Sequence, residues 1–365
     1  MKIATIVGAR PQFIKAAMVS RALASAPGAQ EILIHTGQHY NEGLSQIFFT
    51  ELEIPQPDFH LGIGSGRQGA QTGRMIEAIE EVLVKIDPDW VLVYGDTNST
   101  LAGALAAVKL GIPVGHVEAG LRSFNHRMPE EINRVLTDHA ADLLFAPTTT
   151  AMEQLLREGV AEERILVVGD VMFDAALYFE AKAGTKSQIL NRLHIEPRGY
   201  MIATVHRAEN TDNIARLQAI LEGLSAFSRQ ENIPVIIPVH PRTQKALAGK
   251  LSSYASASSC LRLIEPIGYL DMIMLLKNAR IIATDSGGLQ KEAFFYRVPC
   301  VTLRDETEWV ELVELGWNKL APPKSTTAVS LALTESLNAD RGRESNPYGD
   351  GQSAAKIVRK LLGKL

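Results

Sequence analysis

Residues 91–118 read VLVYGDTNSTLAGALAAVKLGIPVGHVE, and this stretch decides the fold class. It holds two short apolar runs, Val91–Tyr94 and Val114–Val117, separated by a segment with a helical pattern. Two such runs joined by a helix predict parallel neighbouring strands with a right-handed crossover. Asp96 follows the first run and Glu118 closes the second. Both carboxylates are therefore expected at the carboxyl edge of the sheet, where open α/β sheets bind ligands.

The same alternation of apolar runs and helical patterns continues along the whole chain. We therefore predict an α/β fold with two Rossmann-like domains whose parallel sheets face each other across a cleft. The boundary is placed at Gly169–Asp170, before a less patterned stretch at about 172–198. This gives domains 1–169 and 170–345, and a C-terminal helix within 346–365 that packs back across them. The predicted strands are Ile3–Val7, Ile32–His35, Val91–Tyr94, Val114–Val117, Leu143–Phe145, Ile165–Val168, Tyr200–Thr204, Val235–Val239, Leu261–Ile264, Arg280–Thr284 and Cys300–Leu303.

The composition is that of an ordinary globular protein: 365 residues, 46% hydrophobic and 21% charged, long enough for two domains. We expect a cytoplasmic protein without membrane contact, because the sequence has neither a signal-peptide pattern nor an apolar stretch near the roughly 20 residues of a membrane helix. The net charge of −4 argues against nucleic-acid binding, so an anionic substrate needs locally placed cations. Cys260 and Cys300 are predicted to be core thiols.

A third carboxylate, Glu131, lies at the start of a helical pattern at Pro129–Arg134. Together with Asp96 and Glu118 it is suited to general acid–base catalysis, in which each group typically contributes about 10²–10⁴-fold. Several carboxylates crowded in a partly dry cleft are expected to raise the pKa of at least one of them.

The turn Ser286-Gly287-Gly288 follows a predicted strand and should open a helix. Free backbone N–H groups at a helix start favour a diphosphate, and glycines allow it to approach closely. The alternative is a tight turn in which the serine caps the helix. Glu292, two turns into that helix, is a candidate acceptor for ribose hydroxyls, although a lone helix glutamate is more often solvated.

The first strand runs into Gly8-Ala9-Arg10-Pro11, and Arg10 is therefore a candidate cation at the strand end. Neither this turn nor the glycine cluster 62–66, which we interpret as a loop without a preceding strand, supplies a G-x-G-x-x-G fingerprint. We therefore expect no bound NAD. The nine histidines show no metal-ligand spacing either, so no catalytic metal is expected.

Two predicted strands of the second half end in a histidine and an arginine, His206-Arg207 and His240-Pro241-Arg242. Recurrence of such pairs near the Ser-Gly-Gly turn indicates phosphate binding, although each histidine alone is more often structural. A further loop, 304–311, combines Arg304 with hydroxyl and carboxylate groups that suit sugar recognition. Its alternative interpretation is a solvated helix start capped by Thr307.

Taken together, the motifs resemble those of the non-hydrolysing UDP-N-acetylglucosamine 2-epimerases along nearly the whole chain. The resemblance implies a glycosyltransferase-B-like pair of Rossmann-like domains, usually in a homodimer, and inversion of C2 from the gluco to the manno sugar, a step towards surface polysaccharides such as lipopolysaccharide O-antigen. The motifs are GARPQFIK at 8–15, TGQH at 36–39, YGDTN at 94–98, HVEAGLRS at 116–123, PEEINR at 129–134, VHR at 205–207, DSGG at 285–288 and NPYG at 346–349.

Two departures from the family pattern leave the substrate open. Many members read TERPE where this chain has Thr307-Glu308-Trp309-Val310-Glu311, and GTRPE where it has Gly8-Ala9-Arg10-Pro11-Gln12. Both variants look like the branch that acts on UDP-2,3-diacetamido-2,3-dideoxyglucuronate.

The chemistry of C2 favours elimination. No carbonyl stabilises a carbanion there, and oxidation at a neighbouring carbon would need NAD. Elimination of UDP across C1–C2 needs only a base and a well-held leaving group, and re-addition to the 2-acetamidoglucal completes the inversion.

The resemblance also implies which residues act. Catalytic residues would be Asp96, Glu118, Glu131 and His206; UDP-sugar binding would fall to Arg10, Lys15, Arg134, Arg207, Tyr269, Ser286, Gly287, Gly288, Glu292 and Arg304; and an activator UDP-sugar site would involve Gln38, His39 and His240.

A UDP-sugar glycosyltransferase and a non-catalytic nucleotide-sugar sensor are the competing classes. A transferase would need an acceptor for turnover, and a sensor would need none of the three carboxylates.

Overall fold

The computed structural model describes residues 1–38, 53–247 and 260–363. The chain forms two compact units, one made of Met1–Tyr178 with Asn346–Leu365 and the other of Phe179–Ser345. The boundary falls inside a helix, Val171–Lys186, and not at Gly169–Asp170 as expected. This helix and Ile189–Leu193 also show that the interpretation of 172–198 as poorly patterned was wrong.

The first unit contains a parallel sheet of seven strands within the described residues, in the order β3-β2-β1-β4-β5-β6-β7. Its strands are β1 (Lys2–Val7), β2 (Gln30–His35), β3 (Phe59–His60), β4 (Trp90–Tyr94), β5 (Val114–Val117), β6 (Leu143–Ala146) and β7 (Ile165–Val167). Its helices are α1 (Arg10–Ala24), α2 (Gln68–Ile86), α3 (Asn98–Lys109), α4 (Pro129–Ala140) and α5 (Thr149–Arg157), followed by α6 (Val171–Lys186), which runs into the second unit.

The second unit contains a parallel sheet of six described strands, in the order β10-β9-β8-β11-β12-β13. Its strands are β8 (Met201–Thr204), β9 (Val235–Pro238), β10 (Leu261–Ile264), β11 (Ile281–Thr284), β12 (Cys300–Thr302) and β13 (Asn318–Leu320). Its helices are α7 (Ile189–Leu193), α8 (Ala208–Thr211), α9 (Ile214–Glu231), α10 (Pro241–Ala246), α11 (Tyr269–Asn278), α12 (Gly287–Phe295), α13 (Val310–Glu314) and α14 (Thr326–Asn338). Helix α15 (Ser353–Leu361) returns to the first unit and packs against α1.

Burial explains why the central strands form where the apolar runs predict them. Both faces of a parallel sheet are covered by helices, so its inner strands are continuously apolar. Val91–Tyr94 of β4 and all four residues of β5 are buried. Helix α3, between these strands, follows the N-cap residue Thr97, whose hydroxyl accepts a hydrogen bond from the Thr100 amide.

Two short strands at sheet edges were not predicted. The two-residue strand β3 precedes the glycine cluster 62–66, so that loop does follow a strand, contrary to expectation. The other is β13, which contains Asn318 and Lys319.

Of the two cysteines, Cys300 is buried and Cys260 is partly exposed, so the prediction of a core thiol is correct only for Cys300. None of the helices in the described ranges has the length and apolarity that crossing a lipid bilayer requires.

Candidate active site

In the first unit, the carboxyl ends of β4 and β5 bring Glu118 next to Lys15 of α1. The Lys15 Nζ lies 2.5 Å from Glu118 Oε1, and both side chains are almost completely buried. Glu118 has a φ of 72°, a backbone conformation that is costly for a residue with a side chain. Strain of this kind persists only where neighbouring structure holds it, and here the ion pair and the hydrogen bond from the Glu118 amide to the Phe145 carbonyl do so.

Gly95 supplies the space for this ion pair. Its φ is 64°, and a Cβ at this position would lie 3.0 Å from the Lys15 Nζ and 3.6 Å from Glu118 Oε1. Glycine is therefore required at position 95 for two reasons. The backbone is left-handed there, and a side chain would approach the buried ion pair too closely.

Asp96 and Glu131 are joined by Arg134 of α4. The Arg134 Nη2 donates to Asp96 Oδ2 at 2.6 Å, and its Nη1 donates to Glu131 Oε2 at 2.7 Å. The Asp96 side chain retains 29% of its exposure and that of Glu131 only 1%. The structure thus brings the three predicted carboxylates to one edge of the sheet, with Asp96 the most accessible to a ligand.

Glu131 is already occupied as an acceptor. Its Oε1 accepts from the Phe124 amide, and its Oε2 accepts from the amide and hydroxyl of Ser123 as well as from Arg134. Burial by itself raises the pKa of Glu131, but the amides of Ser123 and Phe124 and the Arg134 guanidinium outweigh it, so the pKa lies below its usual value. This geometry favours a supporting role for Glu131 and leaves Asp96 and Glu118 as the better candidates for proton transfer.

Gln12, one of the departures from the family pattern, ties the first strand–helix turn to β4. Its Oε1 accepts from the amides of Gly8 and Ala9, and its Nε2 donates to the Tyr94 carbonyl. Gln12 therefore orients the start of α1, on which Lys15 lies.

Three other predicted site residues belong to this unit: Arg10, Gln38 and His39. Arg10 is the first residue of α1, and its side chain lies outside the described part of the structure. Gln38 accepts hydrogen bonds from the amide and hydroxyl of Ser99. His39 lies outside the described residues.

Behind the carboxylates lies a buried network that was not predicted from the sequence. His116 on β5 contacts Asp138 on α4, and Asp138 contacts Arg122. A signal for it exists in the sequence, because Glu131, Arg134 and Asp138 share one face of α4. All three are buried, whereas Ile132 and Leu136 of the same helix are exposed.

In the second unit, Asp285 at the end of β11 holds the turn that follows β8. Its carboxylate accepts from the amides of His206 at 3.0 Å and Arg207 at 2.9 Å, and from the Asn210 side chain at 3.0 Å. Burial raises the pKa of Asp285, but the hydrogen bonds, with His206 first among them, outweigh burial and lower it.

The two predicted histidines of this unit lie side by side. The His206 Nδ1 is 3.1 Å from Asp285 Oδ1, and the rings of His206 and His240 are 5.3 Å apart. His206 keeps about a third of its side-chain exposure, so it can still reach a ligand. Arg242, by contrast, pairs with Asp212 at 2.8 Å.

The start of α12 forms a space suited to an anion. A Cβ placed on Gly287 would lie 3.5 Å from the indole nitrogen of Trp309, 3.9 Å from Arg207 Nη2 and 4.0 Å from Glu308 Oε2. Two donors therefore lie beside the glycine, and the nearby Glu308 carboxylate is paired with Arg304. Ser286 occupies the N-cap position, and its side chain makes no capping hydrogen bond within the described structure. The alternative interpretation, in which the Ser286 side chain caps the helix, is therefore wrong.

Glu292 is buried on α12, with 3% of its exposure remaining, and accepts a hydrogen bond from the Tyr269 hydroxyl at 3.0 Å. Burial raises its pKa to about 7, although the Tyr269 hydroxyl and Lys291 lower it in part. The interpretation of Glu292 as a solvated helix glutamate is excluded.

The loop 304–311 is largely buried, and its interpretation as a solvated helix start was wrong. Arg304, with 1% exposure, pairs with Glu308 at 2.8 Å. Thr307 donates to Gln290 and accepts from the Trp309 amide, and helix α13 begins only after Trp309. Lys291 lies 4.0 Å from the centre of the Trp309 ring, a cation–π distance. Arg304 is thus committed to an internal ion pair, and Trp309 reaches the Gly287 space.

Similarity to known proteins covers essentially the whole chain. A family model described as UDP-N-acetylglucosamine 2-epimerase matches residues 21–362. The UDP-2,3-diacetamido-2,3-dideoxy-D-glucuronate 2-epimerase of Pseudomonas aeruginosa is 49% identical, and the UDP-N-acetylglucosamine 2-epimerase of Methanocaldococcus jannaschii is 47% identical, each with 99% of both chains covered.

A crystal structure of the M. jannaschii enzyme with UDP-GlcNAc and UDP superposes with a TM-score of 0.93 at 46% identity, covering 100% of both chains. This likeness confirms the predicted fold class of two Rossmann-like domains with parallel sheets, as in glycosyltransferase-B-like proteins.

Proposed function

The chain belongs to the UDP-N-acetylglucosamine 2-epimerase family and is an isomerase of that kind, and we propose that it inverts C2 of a UDP-N-acetylhexosamine by elimination and re-addition of UDP. The observation that carries the proposal is the placement of Asp96 and Glu118 at the ends of adjacent strands, each beside a fixed cation. Two carboxylates so placed can exchange a proton with a sugar carbon without a redox cofactor.

The elimination step balances within the substrate. A carboxylate accepts the C2 proton, the C1–C2 double bond forms, and the electron pair of the broken C1–O bond leaves on the diphosphate of UDP. In the return step, a diphosphate oxygen attacks C1 and a carboxylic acid delivers a proton to the opposite face of C2. Asp96 and Glu118 are assigned to the two proton transfers, and Glu131 with Arg134 holds Asp96.

The leaving diphosphate requires positive groups, and the second unit offers a set of them. The Trp309 indole and the Arg207 guanidinium lie beside Gly287 at the start of α12, and the Glu308 carboxylate nearby is neutralised by Arg304. His206, oriented by Asp285, is proposed to contact the diphosphate as it departs, and Arg10 is a further candidate. Backbone amides at a helix start and fixed cations stabilise developing negative charge without rearranging during the reaction.

UDP-N-acetylglucosamine is the first substrate proposed, on the strength of the family model and the archaeal relatives. UDP-2,3-diacetamido-2,3-dideoxyglucuronate is the second, because the 49% identical P. aeruginosa relative carries that name. Trp309, in the loop where many family members have arginine, contacts Lys291 and lines the Gly287 space, so the departure from the family pattern lies beside the proposed diphosphate site.

A direct test incubates the purified protein separately with each UDP-sugar and follows the C2 proton by NMR, without any acceptor or added nicotinamide. We expect one substrate to reach an equilibrium of C2 epimers. Turnover only after addition of a sugar acceptor would indicate a glycosyltransferase, and binding without any product would indicate a sensor.

Further properties of the protein belong to the proposal. The enzyme works as a homodimer without bound cofactor or metal in the cytoplasm, which light scattering, metal analysis and cell fractionation test. Its product feeds surface polysaccharide synthesis, such as that of O-antigen. An activator UDP-sugar site involves Gln38, His39 and His240; sigmoidal kinetics of the reverse reaction that His240→Ala abolishes would support it.

A further inference from the structure

His116 occupies an unusual position for a titratable side chain, because it lies on the inner strand β5 with 0% exposure. Its two ring nitrogens each meet one partner. The Nε2 lies 2.7 Å from the Gly95 carbonyl oxygen, and the Nδ1 lies 2.7 Å from Asp138 Oδ1.

The chemistry of these partners fixes the protons on the ring. A carbonyl oxygen can only accept, so His116 must donate from Nε2 to Gly95. Asp138 Oδ2 accepts from the Gly120 amide at 3.1 Å and from Arg122 Nη1 at 2.7 Å. A carboxylate receiving those two donors is held in its ionised form, so Nδ1 must donate to Asp138 as well.

The pKa of Asp138 is lowered in the folded protein. Burial raises it, but His116 and Arg122 outweigh burial and bring the pKa below its usual value. Arg122 continues the network to Glu158 at 2.7 Å, so an alternating series of charges runs from the Gly95 carbonyl to a partly exposed carboxylate.

We propose that His116, as a doubly protonated imidazolium, is a positioning residue that fixes the Gly95–Asp96 peptide and thereby places Asp96 for proton transfer. The carbonyl of Gly95 and the amide of Asp96 belong to one planar peptide unit, so fixing the carbonyl fixes the direction in which Asp96 leaves the turn. The same turn places Gly95 against the Lys15–Glu118 pair, and the Asn133 side chain donates to the Asp96 carbonyl at 2.9 Å.

Two substitutions separate the contacts of the ring. His116→Gln keeps an amide donor near the Nε2 position, facing Gly95. His116→Asn keeps a donor near the Nδ1 position, facing Asp138, and loses the bond to Gly95. Both substitutions remove the positive charge. They differ in whether the hydrogen bond to Gly95 is kept, and the proposal assigns the loss of activity to that bond.

The inference rests on the proposed function, because its kinetic readout is C2 epimerisation. We expect His116→Asn to lower kcat about 100-fold, the scale that a misplaced catalytic group can cost, and to leave the KM for UDP-sugar nearly unchanged. His116→Gln should retain clearly more activity than His116→Asn. The matched control is His194→Asn, at an exposed histidine that follows α7 in the second unit, which should match the wild type. Equal losses in the two His116 variants would overturn the assignment to Gly95.

A double-mutant cycle with Asp96→Asn separates positioning from general destabilisation. If His116 acts through Asp96, His116→Asn should lower the residual rate of the Asp96→Asn variant by far less than it lowers the wild-type rate. Losses that simply multiply would show that His116 acts independently of Asp96 and would overturn the proposal.

The protonation state is read without any activity. Nitrogen-15 NMR of the histidine side chains in the wild-type protein at neutral pH should show protons on both ring nitrogens of His116, assigned by its loss in His116→Gln. A ring with one unprotonated nitrogen would overturn the inference. If the wild type epimerises neither UDP-sugar, the proposed function fails while this measurement still decides the state of His116.

Discussion

The Lys15 ammonium lies 2.5 Å from a Glu118 carboxylate oxygen, and the two side chains retain only 9% and 8% of their exposure. The two residues come from α1 and from the end of β5, so the contact joins distant parts of the first unit. A buried pair of this kind leaves an uncompensated charge when one member is removed. The pair lies at the carboxyl edge of the sheet, where the proposed chemistry takes place, so the stability of the unit and that chemistry depend on the same residues.

Glu118→Gln tests that link. The amide keeps the size of the side chain but cannot accept a proton, so kcat should fall about 10²–10⁴-fold. UDP affinity, measured by calorimetry, should not change, because the proposed diphosphate site lies in the second unit. The buried Lys15 charge, left without its carboxylate, should also lower the free energy of unfolding by about 3–5 kcal/mol. The matched control is Glu153→Gln, an exposed position of α5. A Glu118→Gln enzyme with wild-type kcat would remove Glu118 from the proton-transfer scheme.

Glu131→Gln should affect stability in a pH-dependent way. The pKa of Glu131 is lowered in the folded protein, so its contribution is present above the unfolded value of 4.5 and is lost as pH falls through the folded value. Urea unfolding should therefore show the wild type more stable than the variant at pH 7, with the difference shrinking below about pH 4.5. The neighbouring Glu130→Gln serves as control. A difference that stays constant from pH 7 to pH 3 contradicts the assigned hydrogen bonds.

Gly287→Ala tests the anion site in the second unit. The new methyl group would meet its neighbours at ordinary contact distances, so the variant should fold with unchanged melting temperature. It would fill the space between Trp309 and Arg207, and the dissociation constant for UDP should rise about tenfold or more, which is about 1.4 kcal/mol. Gly184→Ala, on α6 with open space around it, should leave UDP binding unchanged. Wild-type UDP affinity in Gly287→Ala would place the diphosphate elsewhere.

Glu292→Gln tests the buried carboxyl on α12. The pKa of Glu292 is raised from 4.5 to about 7, so the folded state binds more protons than the unfolded state between these values. Stability from this group is present below pH 4.5 and is lost as pH rises towards 7. Relative to wild type, the Gln variant should therefore gain about 1–3 kcal/mol in free energy of unfolding between pH 5 and pH 8. A pH-independent difference between the two proteins is the outcome that would refute the burial argument.

The sequence predicts the inner strands well because a strand buried on both faces must be continuously apolar, as in Val91–Tyr94 and Val114–Val117. It misses the edge strands for the same reason. Phe59–His60 has two residues, and Asn318–Leu320 is polar, so neither stands out from a loop. The helix Val171–Lys186 was missed because it lies where the chain passes from one unit to the other.

Only part of the candidate site can be predicted from the sequence. Asp96 and Glu118 can be placed, because each follows a predicted strand and parallel strands end at the same edge of the sheet. The pairing of Lys15 with Glu118, 103 positions apart, depends on packing that no local pattern encodes. In the sequence, His116 is one residue of an apolar strand, and nothing local identifies Asp138 as its partner. The only indication is that α4 buries its charged face and exposes Ile132 and Leu136.

The measurement that tests the central claim most directly is epimerisation of the UDP-sugar substrate in D₂O, combined with an oxygen-18 label in the bond between C1 and the diphosphate. The account predicts a product that carries deuterium at C2 and a label that scrambles into non-bridging diphosphate positions. A product that keeps its original C2 hydrogen, or a label that stays in the bridging position throughout turnover, would contradict elimination and re-addition of UDP.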